Sequence, residues 1–552
     1  MILATLVLAK ATCLAAPASD DDGKGWKAVA LDLVVTIEPE EKRLGLEGTL
    51  HLRLDELDSS LGPTLAVNSG TSVLRFLEVH ARGTEERLNE ALPELPGALL
   101  AHLRARQPFR RGAELEVSFL LESTGRASQL AVLDEIAFGS WVTGWYPVPL
   151  PLHPESLSAL IAVPGTTRFE LPHGWHALSN GRLVSEEERE DGTSCEWRIE
   201  QPVARSFAAG PYQVASFRSG ERDVRVYLLT PKPESAAAQA ETLGRAITAM
   251  EQRFGPYPYS TFAIAEVPEG SAPFYASSEQ GFILAKSTAF DVRGGNVPLF
   301  AHEAAHAWWG NRVGASGPGS ILCSESLAQY GAVVAIEALE GPAAATEFLR
   351  FSRTGYNDVQ CARGYFAMAR GGNDRTLAKL TGEGIEHNLS DAKGHWVYHM
   401  LRGVVGDELF FATLRGLVRD FAGRSMTLDD VRAAFVAAAP KQAALARFFS
   451  DWLDRPGAPV LDVAWKASGG NDGGNDGGND VELVVRQSGE PYRLVLEVAV
   501  DSAAGDKLST VVVDGAECTL RVPAAGTPSG VRVDPRHRLL IWDEGLGPRP
   551  VR

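Results

Sequence analysis

The chain has 552 residues, 45% of them hydrophobic and 22% charged, a size and balance that suit several folded domains and exclude a fibrous or disordered chain. Its formal net charge of −17 excludes a general nucleic-acid binder, because no net basic field exists to displace counterions from phosphates. The five cysteines, Cys13, Cys195, Cys323, Cys361 and Cys518, lack the close pairing of a zinc knuckle or redox motif and read as buried or free thiols.

Residues 1–17 form a short apolar stretch, broken by Lys10 and ending in small residues. Ala15-Ala16-Pro17-Ala18 offers a signal-peptidase site, so residues 1–18 are expected to be a signal peptide and the protein periplasmic or secreted, with the cytoplasm as the alternative. The stretch is too short for a membrane helix, and no later segment has the ~20 uninterrupted apolar residues of a span. From about 27 to 215 the pattern has period two: Leu50, Leu52 and Leu54 alternate with His51 and Arg53, and Leu115, Val117 and Phe119 alternate with Glu116 and Ser118. With frequent Gly and Pro, this predicts antiparallel strands. The period then changes. Leu243, Ile247, Met250 and Phe254 fall at helical spacing, and Gly255-Pro256 stops that helix. Residues 297–450 are mostly helical in pattern. Beyond Pro456-Gly457 the alternation returns at Val481, Leu483 and Val485, then at Leu494, Leu496, Val498 and Val500. Three copies of Gly-Gly-Asn-Asp, Gly469–Asp480, precede these strands and are expected to be a flexible strand-to-strand loop, since the tract has nothing apolar to bury. Calcium binding there lacks support, because the aliphatic position of calcium-binding β-roll repeats is missing.

The chemistry concentrates in Leu299-Phe300-Ala301-His302-Glu303-Ala304-Ala305-His306-Ala307-Trp308-Trp309-Gly310-Asn311, which has the form HExxH. On a helix, residues four apart share a face, so His302 and His306 can bind one ion while Glu303 polarises a water. No Pro or Gly occurs from Leu299 to Trp309, so the helix is expected to run through both histidines. A catalytic zinc usually takes three protein ligands and leaves a position open. Eighteen residues separate His306 from Glu325, which opens a second helical pattern in Cys323-Ser324-Glu325-Ser326-Leu327-Ala328-Gln329-Tyr330, with Ser324 as the expected N-cap and Ala328, Val333, Val334 and Ile336 continuing the pattern. Glu325 is the expected third ligand; the plainer reading is a first-turn glutamate favoured by the helix dipole.

HEAAHAWWGN followed by SESLAQY is similar to the HExxH-(x18)-E gluzincin signature of the aminopeptidase N and leukotriene hydrolase family of zinc metallopeptidases. The resemblance continues at Ala204–Tyr212, which looks like the end of that family's N-terminal β-domain, at Phe254–Tyr259, which looks like the way into its thermolysin-like catalytic domain, and at Asp451–Gly457, which resembles the passage to its C-terminal β-domain. It implies a short, three-domain, multidomain α+β protein: an N-terminal antiparallel β-domain (25–215), a mostly helical thermolysin-like zinc domain (216–454) and a small C-terminal β-sandwich (455–552), the long helical fourth domain of larger members being absent. The implied activity is zinc-dependent removal of N-terminal residues from peptides, with one Zn2+ per chain on His302, His306 and Glu325 and with Glu303 as general base.

Two stretches depart from that family's pattern. The family reads the substrate's free amine with the glutamate of a Gly-Ala-Met-Glu-Asn strand; this chain has Ala276-Ser277-Ser278-Glu279-Gln280-Gly281, which keeps only Glu279 as the implied amine anchor. The plainer reading of Glu279 is an exposed strand glutamate. The family also places a tyrosine, the oxyanion's hydrogen-bond donor, two residues before a Lys-Gly pair. In Ser390-Asp391-Ala392-Lys393-Gly394 that place is held by Asp391, which would repel an oxyanion if ionised and donate to it if protonated. His387, Tyr398 and Tyr275 are the alternative donors. A degenerate zinc-binding module with weak or no turnover, or another hydrolysis on the same scaffold, remains the competing reading.

Overall fold

The computed structural model describes residues 25–55, 62–68, 73–91, 98–124, 126–127, 130–141, 144–150, 162–352, 359–382, 384–439, 444–468 and 480–546. The expected signal peptide, Cys13 and residues 469–479 of the Gly-Gly-Asn-Asp tract lie outside the described residues. The chain divides into two compact units: residues 1–248 with 256–314 and 422–425, and residues 249–255 with 315–421 and 426–552.

The first unit is mostly β-structure, as the period-two alternation predicts. Its largest sheet has seven strands in the order Arg182–Arg189, Gly192–Val203, Val163–Leu171, Trp26–Glu38, Arg43–Leu54, Glu114–Thr124 and Val73–Ala81. Leu50 and Leu52 pair with Val117 and Leu115, so the two predicted apolar faces meet on one side of the sheet and are buried. Further along the same strand, Gly48 pairs with Phe119, and a Cβ there would meet the Asp32 carbonyl oxygen at 2.5 Å and the Phe119 ring at 2.7 Å. Arg205 is fully buried at the centre of the unit. Its guanidinium donates to the carbonyls of Val163 (2.7 Å), Val203 (3.0 Å), Leu31 (3.0 Å) and Pro164 (3.1 Å), knitting separate strands together. All four of these acceptors are carbonyls, and burial lowers its pKa to about 10.

A five-stranded sheet in the same unit sets the site. Its order is Gln213–Ser219, Arg222–Leu228, Ala263–Val267, Phe282–Lys286 and Ala276–Ser278; the middle pairings are parallel and the last strand is an antiparallel edge. The parallel crossover carries the helix Pro233–Phe254, where Leu243, Ile247, Met250 and Phe254 are buried as their spacing predicts. Gly255, at φ +101°, ends it immediately before Pro256.

The second unit contains the helices Glu325–Glu340, Pro342–Phe351, Ala362–Arg370, Ile385–Leu389, His395–Val405, Asp407–Asp420, Leu428–Ala438 and Ala444–Leu453. Two three-stranded sheets follow, Leu461–Ala467 with Asp480–Gln487 and Glu517–Pro523, and Lys507–Asp514 with Arg493–Ser502 and Pro528–Val533. Val481, Leu483, Val485, Leu494, Leu496, Val498 and Val500 are all buried, as the alternation predicts. The predicted boundary at Pro456-Gly457 is pinned by Lys393, fully buried, whose Nζ donates to the Gly457 carbonyl at 2.8 Å. Asp374 accepts from the Gly457 N–H at 2.6 Å. Cys195, Cys323, Cys361 and Cys518 are free thiols, and burial pushes Cys195 and Cys323 up to about 12. No helix among the described residues is long and apolar enough to cross a membrane.

Candidate metal centre and amine site

The HExxH segment starts at Val297 with Pro298 in its first turn, and the Asn296 side chain caps the Leu299 N–H. The helix ends at Ala305, earlier than the absence of Gly and Pro suggests. His306 is the C-cap with helical angles, φ −58° and ψ −20°, and its N–H still bonds the His302 carbonyl at 3.3 Å. Beyond it the chain turns back under Trp308 and Trp309, both fully buried, because those indoles pack inward instead of extending the helix.

That turn gives His306 a partner. Its Nδ1 lies 2.9 Å from the Trp309 carbonyl, which fixes Nδ1 as the protonated nitrogen and leaves Nε2 as a lone pair. The Nε2 atoms of His302 and His306 stand 3.2 Å apart with their rings at 84°. Two nitrogens at ~2.05 Å from a tetrahedral zinc would be separated by about 3.3 Å, so the pair fits one zinc ion. Glu303, between them in sequence, is 8% exposed.

Glu279 follows the edge strand and is fully buried, so the exposed-strand reading is excluded. Its N–H bonds the Phe282 carbonyl at 2.8 Å, closing a two-residue turn in which Gln280 and Gly281 have φ +53° and +125°. Gln280 is the strained member, since a side chain at positive φ is disfavoured. Its Oε1 accepts from the Ala204 N–H at 2.8 Å and its carbonyl from Asn180 Nδ2 at 3.2 Å, which hold it there. Asn180 Nδ2 also donates to the Glu279 carbonyl at 2.6 Å. The Glu279 carboxylate accepts three hydroxyls, from Ser206 (2.7 Å), Ser277 (2.7 Å) and Ser140 (2.9 Å). Burial raises its pKa from 4.5 to about 7; the three serines oppose the rise, and the charge of Glu303 adds to it. Glu279 and Glu303 therefore feel one another electrostatically within the first unit.

Sequence reading missed Ser140, Asn180 and Ser206, which have no motif and stand 139, 99 and 73 residues from Glu279. In the second unit, Glu325 is the first residue of its helix. Ser324 is not the side-chain cap expected: its φ and ψ are −114° and −80°, and its hydroxyl donates backward to the Ile321 carbonyl at 3.5 Å. Asp391 is fully buried in a π-helical turn, Ser390–Gly394, and accepts a hydrogen bond from Gln360 Nε2 at 2.5 Å. His387 Nε2 lies 3.3 Å from the same oxygen. Tyr398 is not available as a donor to a ligand, because its buried hydroxyl donates to the Leu322 carbonyl at 2.9 Å. Tyr275 is 39% exposed, on the first unit.

Residues 239–452 match the model of the peptidase family M1 domain. That segment, under half of the chain, is similar to an M1 peptidase domain. Human aminopeptidase O is 26% identical over 249 residues, 40% of this chain and 30% of that protein, so the match spans about a third of the length of that relative. The M1 zinc metallopeptidase of Deinococcus radiodurans superposes with a TM-score of 0.60 at 18% identity, over 78% of this chain and 95% of that one. A variant of the same protein bound to a Tyr-Ser-Ala substrate gives 0.61 at 17%, over 79% and 96%. Aminopeptidase A of Legionella pneumophila, in complex with aspartic acid, gives 0.64 at 15%, over 95% and 60%. The expected order of β-rich, helical and β-rich regions is that of the fold these M1 structures share.

Proposed function

We propose that this M1 chain is a zinc-dependent aminopeptidase acting on peptides with a free N-terminus. The observation that carries the reading is the His302–His306 pair, with Nε2 atoms 3.2 Å apart on the helix that bears Glu303, next to a buried Glu279 that senses the Glu303 charge. One zinc per chain, on His302, His306 and Glu325, follows from the HExxH-(x18)-E spacing. When bound, zinc supplies a Lewis acid that polarises the scissile carbonyl and acidifies water. Glu303 accepts the attacking water's proton and returns it to the leaving amine. Glu279, ionised, pairs with the substrate's α-ammonium and so sets the cut one residue from the end. Peptide substrates are also what the Deinococcus structure holds, as Tyr-Ser-Ala. Export to the periplasm or beyond belongs to the same reading, on the small-residue cleavage site at residues 15–18.

The test is fluorophore release from aminoacyl-coumarin substrates, expected to stop with chelator and return with zinc. N-acetylated substrates are expected to be poor. Equal cleavage of free and acetylated peptides would make the protein an endopeptidase. The second reading, a zinc-binding module with little turnover, is favoured by Asp391, a buried carboxylate where the family's tyrosine donates. Zinc binding with no release of fluorophore would select it.

A further inference from the structure

The first unit contains a cavity of about 280 Å3 for which peptide cleavage has no use. Six of the residues that line it carry hydrogen-bond donors on their side chains: Tyr259, Gln280, Asn311, Arg312, Arg424 and Ser425. Among the described residues, none of those lining it is an aspartate or a glutamate. In a chain of net charge −17, two guanidiniums in one acid-free cavity reverse the field locally.

The backbone holds the two arginines on facing segments. The Gly423 N–H donates to the Arg312 carbonyl at 2.8 Å, and the Gly314 N–H donates to the Arg424 carbonyl at 2.9 Å. Gly314 permits this approach, since a Cβ there would lie 2.7 Å from the Ser425 hydroxyl oxygen. Arg312 is half-buried, and among the described residues its side chain has neither a hydrogen bond nor an ion pair. Its charge is felt at the Tyr259 hydroxyl. A half-buried cation with a second cation on the facing segment, and no carboxylate in the cavity, is an arrangement that an anion relieves. Neutral donors stand ready beside it. Gln280 Oε1 is taken by the Ala204 N–H at 2.8 Å and its carbonyl by Asn180 at 3.2 Å, so its Nε2 is the group left to serve a ligand. Asn311 Nδ2 spends one hydrogen on Ser278 Oγ at 3.2 Å and keeps the other.

We propose that this cavity binds a phosphate group, as the free ion or on a small ester, with Arg312 and Arg424 supplying the charge and Gln280, Asn311, Ser425 and Tyr259 the neutral donors. Planar guanidiniums match phosphate oxygens in pairs, and a tetrahedral oxyanion has acceptors for donors on several sides, which a carboxylate lacks. Ser278 and Gln280 flank Glu279, so the bound anion also braces the turn that presents that carboxylate. The bracing rests on the reading of Glu279 as the amine anchor; the binding does not.

Zinc-loaded full-length protein is titrated calorimetrically with inorganic phosphate and, separately, with glycerol phosphate. The wild type is expected to bind one equivalent of at least one of them, and the tighter of the two names the source. Arg312→Gln and Arg424→Gln are each expected to weaken binding by roughly tenfold or more, and His302→Ala to bind as the wild type does. No saturable binding of either compound overturns the site. Binding that survives both arginine changes also overturns it, and if that binding vanishes in His302→Ala the oxyanion sits on the metal instead. Steady-state rates with an aminoacyl-coumarin test the bracing: bound phosphate is expected to lower KM in the wild type and not in Arg312→Gln. Binding without that shift in an active enzyme overturns the bracing and keeps the site. Binding by a protein with no peptidase activity overturns the proposed function and keeps the site. Thermal unfolding of each variant without ligand checks that it folds, and Arg424→Gln decides the matter if Arg312→Gln does not.

Discussion

Ser206 Oγ donates a hydrogen bond to the Glu279 carboxylate at 2.7 Å, across 73 residues of chain. With Ser140 and Ser277 it surrounds that carboxylate with hydroxyls, which can donate to an anion and can rotate when a substrate ammonium arrives. The site is therefore poised, not neutral: burial favours the protonated acid and the serines favour the anion.

The first prediction follows from that balance. Between pH 4.5 and about 7 the folded chain holds a proton on Glu279 that the unfolded chain has released. Its contribution to stability is therefore greatest below pH 4.5, falls as pH rises to about 7, and is flat above. The rise from 4.5 to about 7 corresponds to about 3 kcal/mol. Glu279→Gln should accordingly melt at a higher temperature than the wild type at pH 8 and at nearly the same temperature at pH 4. Melting curves at the two pH values measure this. The same variant should lose recognition of the free amine, raising KM with a smaller fall in kcat.

Metal removal and base removal should separate. His302→Ala or His306→Ala should lose the zinc and all but a trace of turnover. Glu303→Gln should keep the zinc and lose on the order of a hundredfold or more in kcat, because an amide cannot accept the water's proton. Elemental analysis beside steady-state rates tells the two apart, and wild-type rates in Glu303→Gln would remove it as the base.

Tyr398→Phe tests a negative result of the geometry. Its hydroxyl is committed to the Leu322 carbonyl, so the change should cost about 1 kcal/mol of stability and less than threefold in kcat. A loss of a hundredfold with unchanged melting would mean that this hydroxyl reaches the substrate.

Arg205→Met should be among the most damaging substitutions outside the site. It leaves four carbonyl acceptors without their cation in the centre of the first unit. The expected loss is about 3–5 kcal/mol, read as a lower denaturant midpoint or as failure to accumulate as soluble protein.

The parts legible in the sequence are those written in local periodicity. Leu50, Leu52 and Leu54 face inward because a strand alternates, and His302 and His306 meet because a helix turns once in about four residues. The end of the HExxH helix was not legible. Two tryptophans are acceptable helix formers, and only the tertiary burial of Trp308 and Trp309 makes a turn preferable. Ser324 had the right residue type for a cap and the wrong backbone angles. The environment of Glu279 was not legible either, since Ser140, Asn180 and Ser206 reach it only through sheet topology.

That topology divides the labour between parts of the chain. The segment that matches the M1 domain, 239–452, contains the histidines, Glu303, Glu279 and Glu325, yet Ser140, Asn180 and Ser206 all lie upstream of it. A fragment trimmed to that segment would keep Ser277 and the Phe282 carbonyl beside Glu279 but lose Ser140, Asn180 and Ser206, and with them most of what holds the Gln280-Gly281 turn and tunes the Glu279 carboxylate. On the proposed reading, the N-terminal strands would thus help to set where the substrate's end is held, although none of the proposed cleavage residues lies in them.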